Sequence, residues 1–237
     1  MSSRTPSRRT RARRTTLGAL AVVGLLALSA CGLRPGTAAE IGADRISHDE
    51  VNEVASALCA ANLSSAAAQG APPPELPSVG ARVGALQVLV DSSLARQFGE
   101  SEGAEADPGE LSATLTQNEP GIAALPADRQ DAFREALREF TRGQLLVIDV
   151  GRGSLASAGQ GGATDDQALA EGRRLQAEFV AGLDVEIDPR YGDLSEGIIV
   201  PGSPSLSVAV SQTATDAARG NASPEYIAGL PATQLCS

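Results

Sequence analysis

Three cysteines and a single histidine are the side chains of this 237-residue sequence best suited to nucleophilic or metal chemistry. His48 and Cys59 fall near the same face of a predicted helix, but eleven residues at 1.5 Å each place them about 16 Å apart. A nucleophile and its base must be within hydrogen-bonding reach. The two residues therefore do not form a catalytic pair, and His48 is interpreted as a solvated residue in the first turn of that helix.

Cys31 stands at the end of an uncharged, apolar run that begins at Thr15. A basic start, a short apolar run and a Leu-Ser-Ala tripeptide before the cysteine resemble a bacterial lipoprotein signal, in which a diacylglycerol alkylates the thiol. We expect a signal peptide over 1–30 and a lipid anchor with its tether over 31–37, on the extracytoplasmic face of the cell membrane. An ordinary cleaved signal with an incidental cysteine is the alternative. Arg13 and Arg14 form a partial twin-arginine pattern, so that export route also stays open. The basic residues of the segment are Arg4, Arg8, Arg9, Arg11, Arg13 and Arg14.

The two remaining thiols, Cys59 and Cys236, form an even pair in a chain that is expected to be exported. An oxidising compartment favours a disulfide between them. Such a bond would tie an early helix to the C-terminal end of the sequence and close a long loop. The alternative is two unpaired thiols, one buried in the core and one in a frayed tail.

Other kinds of site find little support in the sequence. No cluster of histidines and cysteines has metal-ligand spacing, and Asp165, Asp166 and Asp188 lack the pattern of a calcium loop. Glycine-rich stretches at 151–153 and 159–162 lack the strand and the spacing of a phosphate-binding loop. We therefore predict no catalytic residue, no metal, no cofactor and no evident small-molecule substrate.

The charge of the exported chain argues against two classes of partner. Six of the nineteen basic residues precede Cys31, so thirteen remain against twenty-nine acidic residues, and the formal charge is about −16. A surface of that sign repels nucleic-acid phosphates and anionic lipid headgroups. Neither nucleic acid nor a lipid headgroup is an expected partner.

The beginning of the first helix is marked by its local chemistry. Ser47 and Glu50 have the spacing of a capping box, and Ile46 and Val51 have the spacing of a hydrophobic staple. Apolar residues then recur at helical spacing, which predicts one buried face. A short strand or turn over residues 41–46 precedes this helix.

Four more helices are predicted from capping signals and apolar periodicity. The second covers about 79–99, with Gly99 as its C-cap, and follows a linker over 64–77. The third begins at Asp107 and ends near 118–121. The fourth covers about 127–150 and is followed by a flexible loop over 151–162, and the fifth opens with a capping box at Thr164. The four phenylalanines lie on these helices and are interpreted as core residues: Phe98, Phe133, Phe140 and Phe179.

The order of these features resembles a known family. A strand and turn with the pattern Ile41, Gly42, Ile46, Ser47, Glu50 and Val51 feeds into the first helix, and Asp-Pro-Arg-Tyr-Gly follows the last helix at 188–192. This arrangement is similar to the N-terminal domain of SurA-type extracytoplasmic foldases, in an actinobacterial form. The resemblance implies a mostly α fold, a bundle of about five helices with short flanking β-strands over residues 38–192. A low-complexity, mostly irregular tail is expected over 193–237, with a short helix near 211–219.

The resemblance also implies a function. The helical domain of that family holds unfolded chains through exposed apolar grooves, so we expect a non-catalytic, membrane-anchored chaperone whose partners are unfolded exported polypeptides. The prolyl isomerase domain of many relatives uses paired histidines, whereas this sequence contains only His48. The alternative is a structural or adaptor lipoprotein that docks one folded partner in the cell envelope. A holdase should expose an apolar groove between helices, and an adaptor should expose one flat, specific patch.

Overall fold

The chain is mostly helical, with a few short antiparallel strands. A computed structural model describes residues 33–200, 213 and 222–236. Cys31 and the predicted signal lie outside the described residues, as does the predicted helix over 211–219 apart from residue 213. None of the helices described is long and apolar enough to span a bilayer. In chain order the elements are β1 Thr37–Ile41, β2 Asp44–Ser47, α1 His48–Ala68, α2 Ser78–Glu102, α3 Pro108–Ala123, α4 Ala127–Ser157, α5 Asp165–Val180, β3 Val185–Ile187, β4 Asp193–Ser195, β5 Ile198–Val200, α6 Pro224–Ala228 and a 3₁₀ turn Ala232–Gln234.

A three-stranded sheet closes the end of the bundle where α1 begins. β1 lies in the middle and pairs antiparallel with β2 on one side and with β3 on the other. Gly42 takes a positive φ of 56° in the tight turn between β1 and β2, a conformation that glycine adopts without strain. Ala38, Ala39 and Ile41 are fully buried, so β1 forms part of the core.

The larger core lies between this sheet, α1 and α2. Its fully buried members include Val51 of α1 and Leu86 and Val90 of α2. The β4–β5 hairpin adds Leu194 and Ile199 to the same core. The side-chain amide of Gln87 fixes the hairpin: it donates to the carbonyl of Gly197 at 2.9 Å and accepts from the amide of Ile199 at 2.7 Å. Residues 193–200 therefore differ from the irregular tail predicted for this segment.

A second core joins α2, α4 and α5. Phe98 of α2 and Phe179 of α5 pack with ring centroids 5.6 Å apart, beside the buried Val147 of α4. α4 and α5 approach so closely that a Cβ on Gly151 would lie 1.9 Å from the carbonyl oxygen of Ala168. A Cβ on Gly172 would likewise lie 2.0 Å from a backbone oxygen of α4. The prediction of a flexible loop over 151–162 is therefore wrong for the start of that range, since Gly151 is a helical residue where α4 crosses α5.

The predicted end of α2 is also wrong, again at a glycine that packs against another helix. The predicted C-cap, Gly99, is buried within the helix, where a Cβ would lie 2.8 Å from the Cβ of Leu146. The helix continues for one more turn and ends at Gly103, which takes the left-handed conformation with φ 68°. α1 and α3 also run past their predicted ends, to Ala68 and Ala123. Among the described residues, the members of both cores lie within 38–199, in the unit Leu33–Ser237.

Candidate functional site

An open apolar cavity of about 140 Å³ lies where α1, α2 and α4 meet. Its lining is entirely apolar and comes from all three helices. Phe140 leaves 36% of its surface exposed at this site, which is unusual for a phenylalanine. The lining residues are Val54, Ala57, Leu58, Val88, Phe133, Ala136, Leu137 and Phe140.

A second, larger cavity of about 520 Å³ adjoins the first. Val54, Val88 and Ala136 line both cavities, so the two form one depression, which we call the interhelical groove. The second cavity adds five carboxylates and no basic side chain to the lining. These carboxylates are Glu50, Glu53, Asp131, Glu135 and Glu139.

The sequence of α4 explains why the groove is open. Phe133, Leu137 and Phe140 recur at helical spacing and form one apolar stripe. The buried residues of α4 lie further along the helix and include Gly143, Leu146 and Val147. α4 therefore carries more apolar surface than its neighbours cover. The interpretation of all four phenylalanines as core residues holds for the pair on α2 and α5 and is corrected for Phe133 and Phe140, which line the groove.

The predicted helix start is confirmed, and it fixes α1 at one side of the groove. The amide of Glu50 donates to the Ser47 hydroxyl at 3.1 Å, and the amide of Ser47 donates to the Glu50 carboxylate at 2.8 Å. Ile46 and Val51, the residues of the predicted staple, are both buried in the larger core. Glu50 therefore serves as a capping residue and as part of the acidic lining.

His48 is not the solvated residue that the sequence suggested. Its Nδ1 lies 3.0 Å from the hydroxyl of Tyr191, and its Nε2 lies 3.0 Å from a guanidinium nitrogen of Arg190 and 3.3 Å from the carboxylate of Asp188. Burial raises the pKa of Asp188, but hydrogen bonds from Arg190 outweigh this effect and hold that pKa below its ordinary value. Burial raises the pKa of Tyr191. The cluster joins the first turn of α1 to the chain that follows β3.

The structure brings the two predicted disulfide partners together. Cys59 and Cys236 are joined with their Cα atoms 5.4 Å apart, within the range that a disulfide needs. The amide of Cys236 also donates to the carbonyl of Leu76 at 2.8 Å, and Leu235 forms an antiparallel bridge with Pro77. The C-terminal segment is thus held against α1 and against the connection that precedes α2.

No group of acidic, histidine or cysteine side chains that could hold a metal ion occurs among residues 33–200 and 222–236. Asp165 lies in the first turn of α5 and pairs with Arg152 of α4 at 2.8 Å. Comparisons of the chain with protein families, with curated proteins and with solved structures find no match. The resemblance to the SurA type stays a prediction, and the interhelical groove is the candidate site on which a function can be argued.

Proposed function

We propose that this protein is a membrane-anchored extracytoplasmic chaperone that holds unfolded exported polypeptides in its interhelical groove. The observation that carries the proposal is an open apolar depression lined by three helices, with Phe133, Leu137 and Phe140 on one side. A contiguous apolar surface of this kind on a folded chain is typical of a binding site. The apolar part of the groove suits apolar segments of a ligand.

The dimensions of the groove suit a short stretch of polypeptide. On α4 its lining extends from Asp131 to Phe140, which corresponds to about 14 Å of helix, and on α1 from Glu50 to Leu58, about 12 Å. A ligand of that length has about four residues if it is extended, or about nine if it is helical. Unfolded chains present apolar stretches of this size frequently, so a groove of this length can bind many sequences.

The anchor follows from the lipoprotein signal and supports an extracytoplasmic role. β1 begins at Thr37, six residues after Cys31. Six extended residues reach at most about 20 Å. A lipid on Cys31 would therefore keep the groove close to the outer face of the membrane, where exported chains emerge unfolded.

Light scattering of an aggregating client tests the proposal. Because both cores lie within residues 38–199, the soluble chain 32–237 is a suitable form. We expect it to suppress aggregation and Phe140→Ser to weaken suppression severalfold. The matched control is Ile198→Ser, since Ile198 is 63% exposed but does not line the groove. Equal suppression by both variants, or no suppression by the parent chain, contradicts the proposal, and the latter result would favour an adaptor.

A further inference from the structure

One part of the groove lining is apolar, and the adjoining part is negatively charged. The apolar cavity contains no polar side chain, whereas the adjoining cavity carries five carboxylates from α1 and α4 and no basic residue. A purely apolar segment would bring no cation to these carboxylates at the edge of the complex. A ligand with cationic groups along one side would complement both parts.

The carboxylates on α4 form a row. Asp131, Glu135 and Glu139 recur every fourth residue, so they lie on one side of the helix. Two features leave them able to bind a cation from outside the chain. Asp131 and Glu135 are exposed, with side-chain accessibilities of 100% and 60%. Their ion pairs are local ones along α4, which are weak at an exposed helix surface.

The arginines of α4 do not enter the groove lining. Arg134, Arg138 and Arg142 each pair with the carboxylate three positions earlier on the helix. Arg134 also binds Glu119 of α3, at 2.9 Å, and is thereby directed toward α3. On the α1 side, Glu53 makes no ion pair with any residue that the structure describes. A cationic ligand could therefore pair with Glu53 directly and with Asp131, Glu135 and Glu139 in competition with the arginines of α4.

We infer that the groove selects basic amphipathic segments: stretches of about two helical turns with apolar side chains on one side and Arg or Lys on the other. This inference rests on the proposed function and specifies its ligand class. The apolar side would occupy the cavity beside Phe133 and Phe140, and the cations would lie along Asp131, Glu135 and Glu139. A helical ligand can present apolar side chains on one face and basic side chains on another, because residues three and four apart share a face.

Fluorescence anisotropy with three labelled synthetic peptides tests the inference on the chain 32–237. The first peptide is basic and amphipathic; the second replaces each Lys by Glu; the third keeps the Lys residues and replaces the apolar side by Ser. We expect the first to bind about tenfold more tightly than either of the others at low salt. For the second peptide this ratio corresponds to three exposed ion pairs of about 0.5 kcal/mol each.

A variant that removes groove carboxylates, with a matched control, tests whether those carboxylates cause the preference for the basic peptide. The variant D131N/E135Q/E139Q should lose about tenfold in affinity for the first peptide and little for the second. The control E102Q/E110Q/E178Q removes the same charge from positions outside the groove lining and should bind like the parent. Equal binding of the first two peptides overturns the charge selection and leaves the proposed function standing. Equal binding of the first and third peptides, or a loss in the control as large as in the variant, shows non-specific attraction and overturns the inference. Failure of both amphipathic peptides to bind overturns the inference and the proposed function together.

Discussion

The close crossing of α4 and α5 makes opposite predictions for two alanine substitutions on one helix. Gly151 is buried, and a Cβ there would lie 1.9 Å from the carbonyl oxygen of Ala168 and 2.7 Å from the amide nitrogen of Gly172. Cβ atoms essentially never approach other atoms closer than 3.0 Å. In Gly151→Ala the two helices must therefore separate by about 1 Å, because the atoms that clash belong to the backbone and cannot rotate away.

The expected cost follows from two opposing contributions. Overpacking of this kind destabilises a fold by about 1 to 3 kcal/mol, and a separation of about 1 Å also weakens dispersion contacts on both sides of the crossing. Alanine regains about 1 kcal/mol over glycine in a helix. Gly151→Ala should therefore lower the free energy of unfolding by up to about 2 kcal/mol.

Gly153 is the matched control. It lies on the same helix, is exposed, and a Cβ there meets no atom within 4 Å. Gly153→Ala should raise the free energy of unfolding by about 0.5 to 1 kcal/mol. Urea denaturation of both variants, followed by far-UV circular dichroism without reductant, measures the difference. If Gly151→Ala is as stable as Gly153→Ala, the close approach of α4 and α5 is refuted.

Three further predictions concern the cysteines and one carboxylate. Alkylation before reduction should label neither Cys59 nor Cys236 in the exported protein, and reduction should destabilise it by up to about 5 kcal/mol in the chain-entropy treatment of a loop of this length. Cys31→Ala should abolish metabolic labelling by fatty acids and release the protein from the membrane fraction or leave it unprocessed; labelling that persists rules out the anchor. Hydrogen bonds, chiefly from Arg174, lower the pKa of Glu171 to about 2. Because the pKa is depressed in the folded state, the stability that Arg174 confers should be complete above about pH 4.5 and disappear as the pH falls through 2, so urea midpoints of the parent and Arg174→Ala should converge in acid.

The parts of the fold that the sequence predicted are those fixed by local chemistry. The caps at Ser47, Asp107 and Thr164 are confirmed, because each side chain bonds to backbone amides within three residues along the chain. The helix ends at Gly99 and Gly151 were predicted wrongly for the opposite reason. Both glycines serve contacts with another helix, and the sequence around them contains no sign of that contact.

The sequence predicted the apolar stripe of the candidate site but not the groove that the stripe lines. The stripe containing Phe133, Leu137 and Phe140 was visible in the sequence, but whether a neighbouring helix covers it depends on how α1, α2 and α4 cross. The cluster around His48 was missed because its partners lie about 140 residues further along the chain. The pairing of Cys59 with Cys236 could be proposed by counting the cysteines. That the two residues lie close together could be seen only in the folded structure.

Site-specific photo-crosslinking tests the central claim most directly. A benzophenone amino acid in place of Phe140 should crosslink to an unfolded client on irradiation, whereas the same group in place of Tyr226 should not. The two positions match in chemistry and exposure, since both are aromatic and 36% exposed, and only Phe140 lines the interhelical groove. Strong crosslinks from position 140 with few from position 226 are the predicted result. Equal crosslinking from the two positions, or none from position 140, would contradict the claim that this groove holds polypeptides.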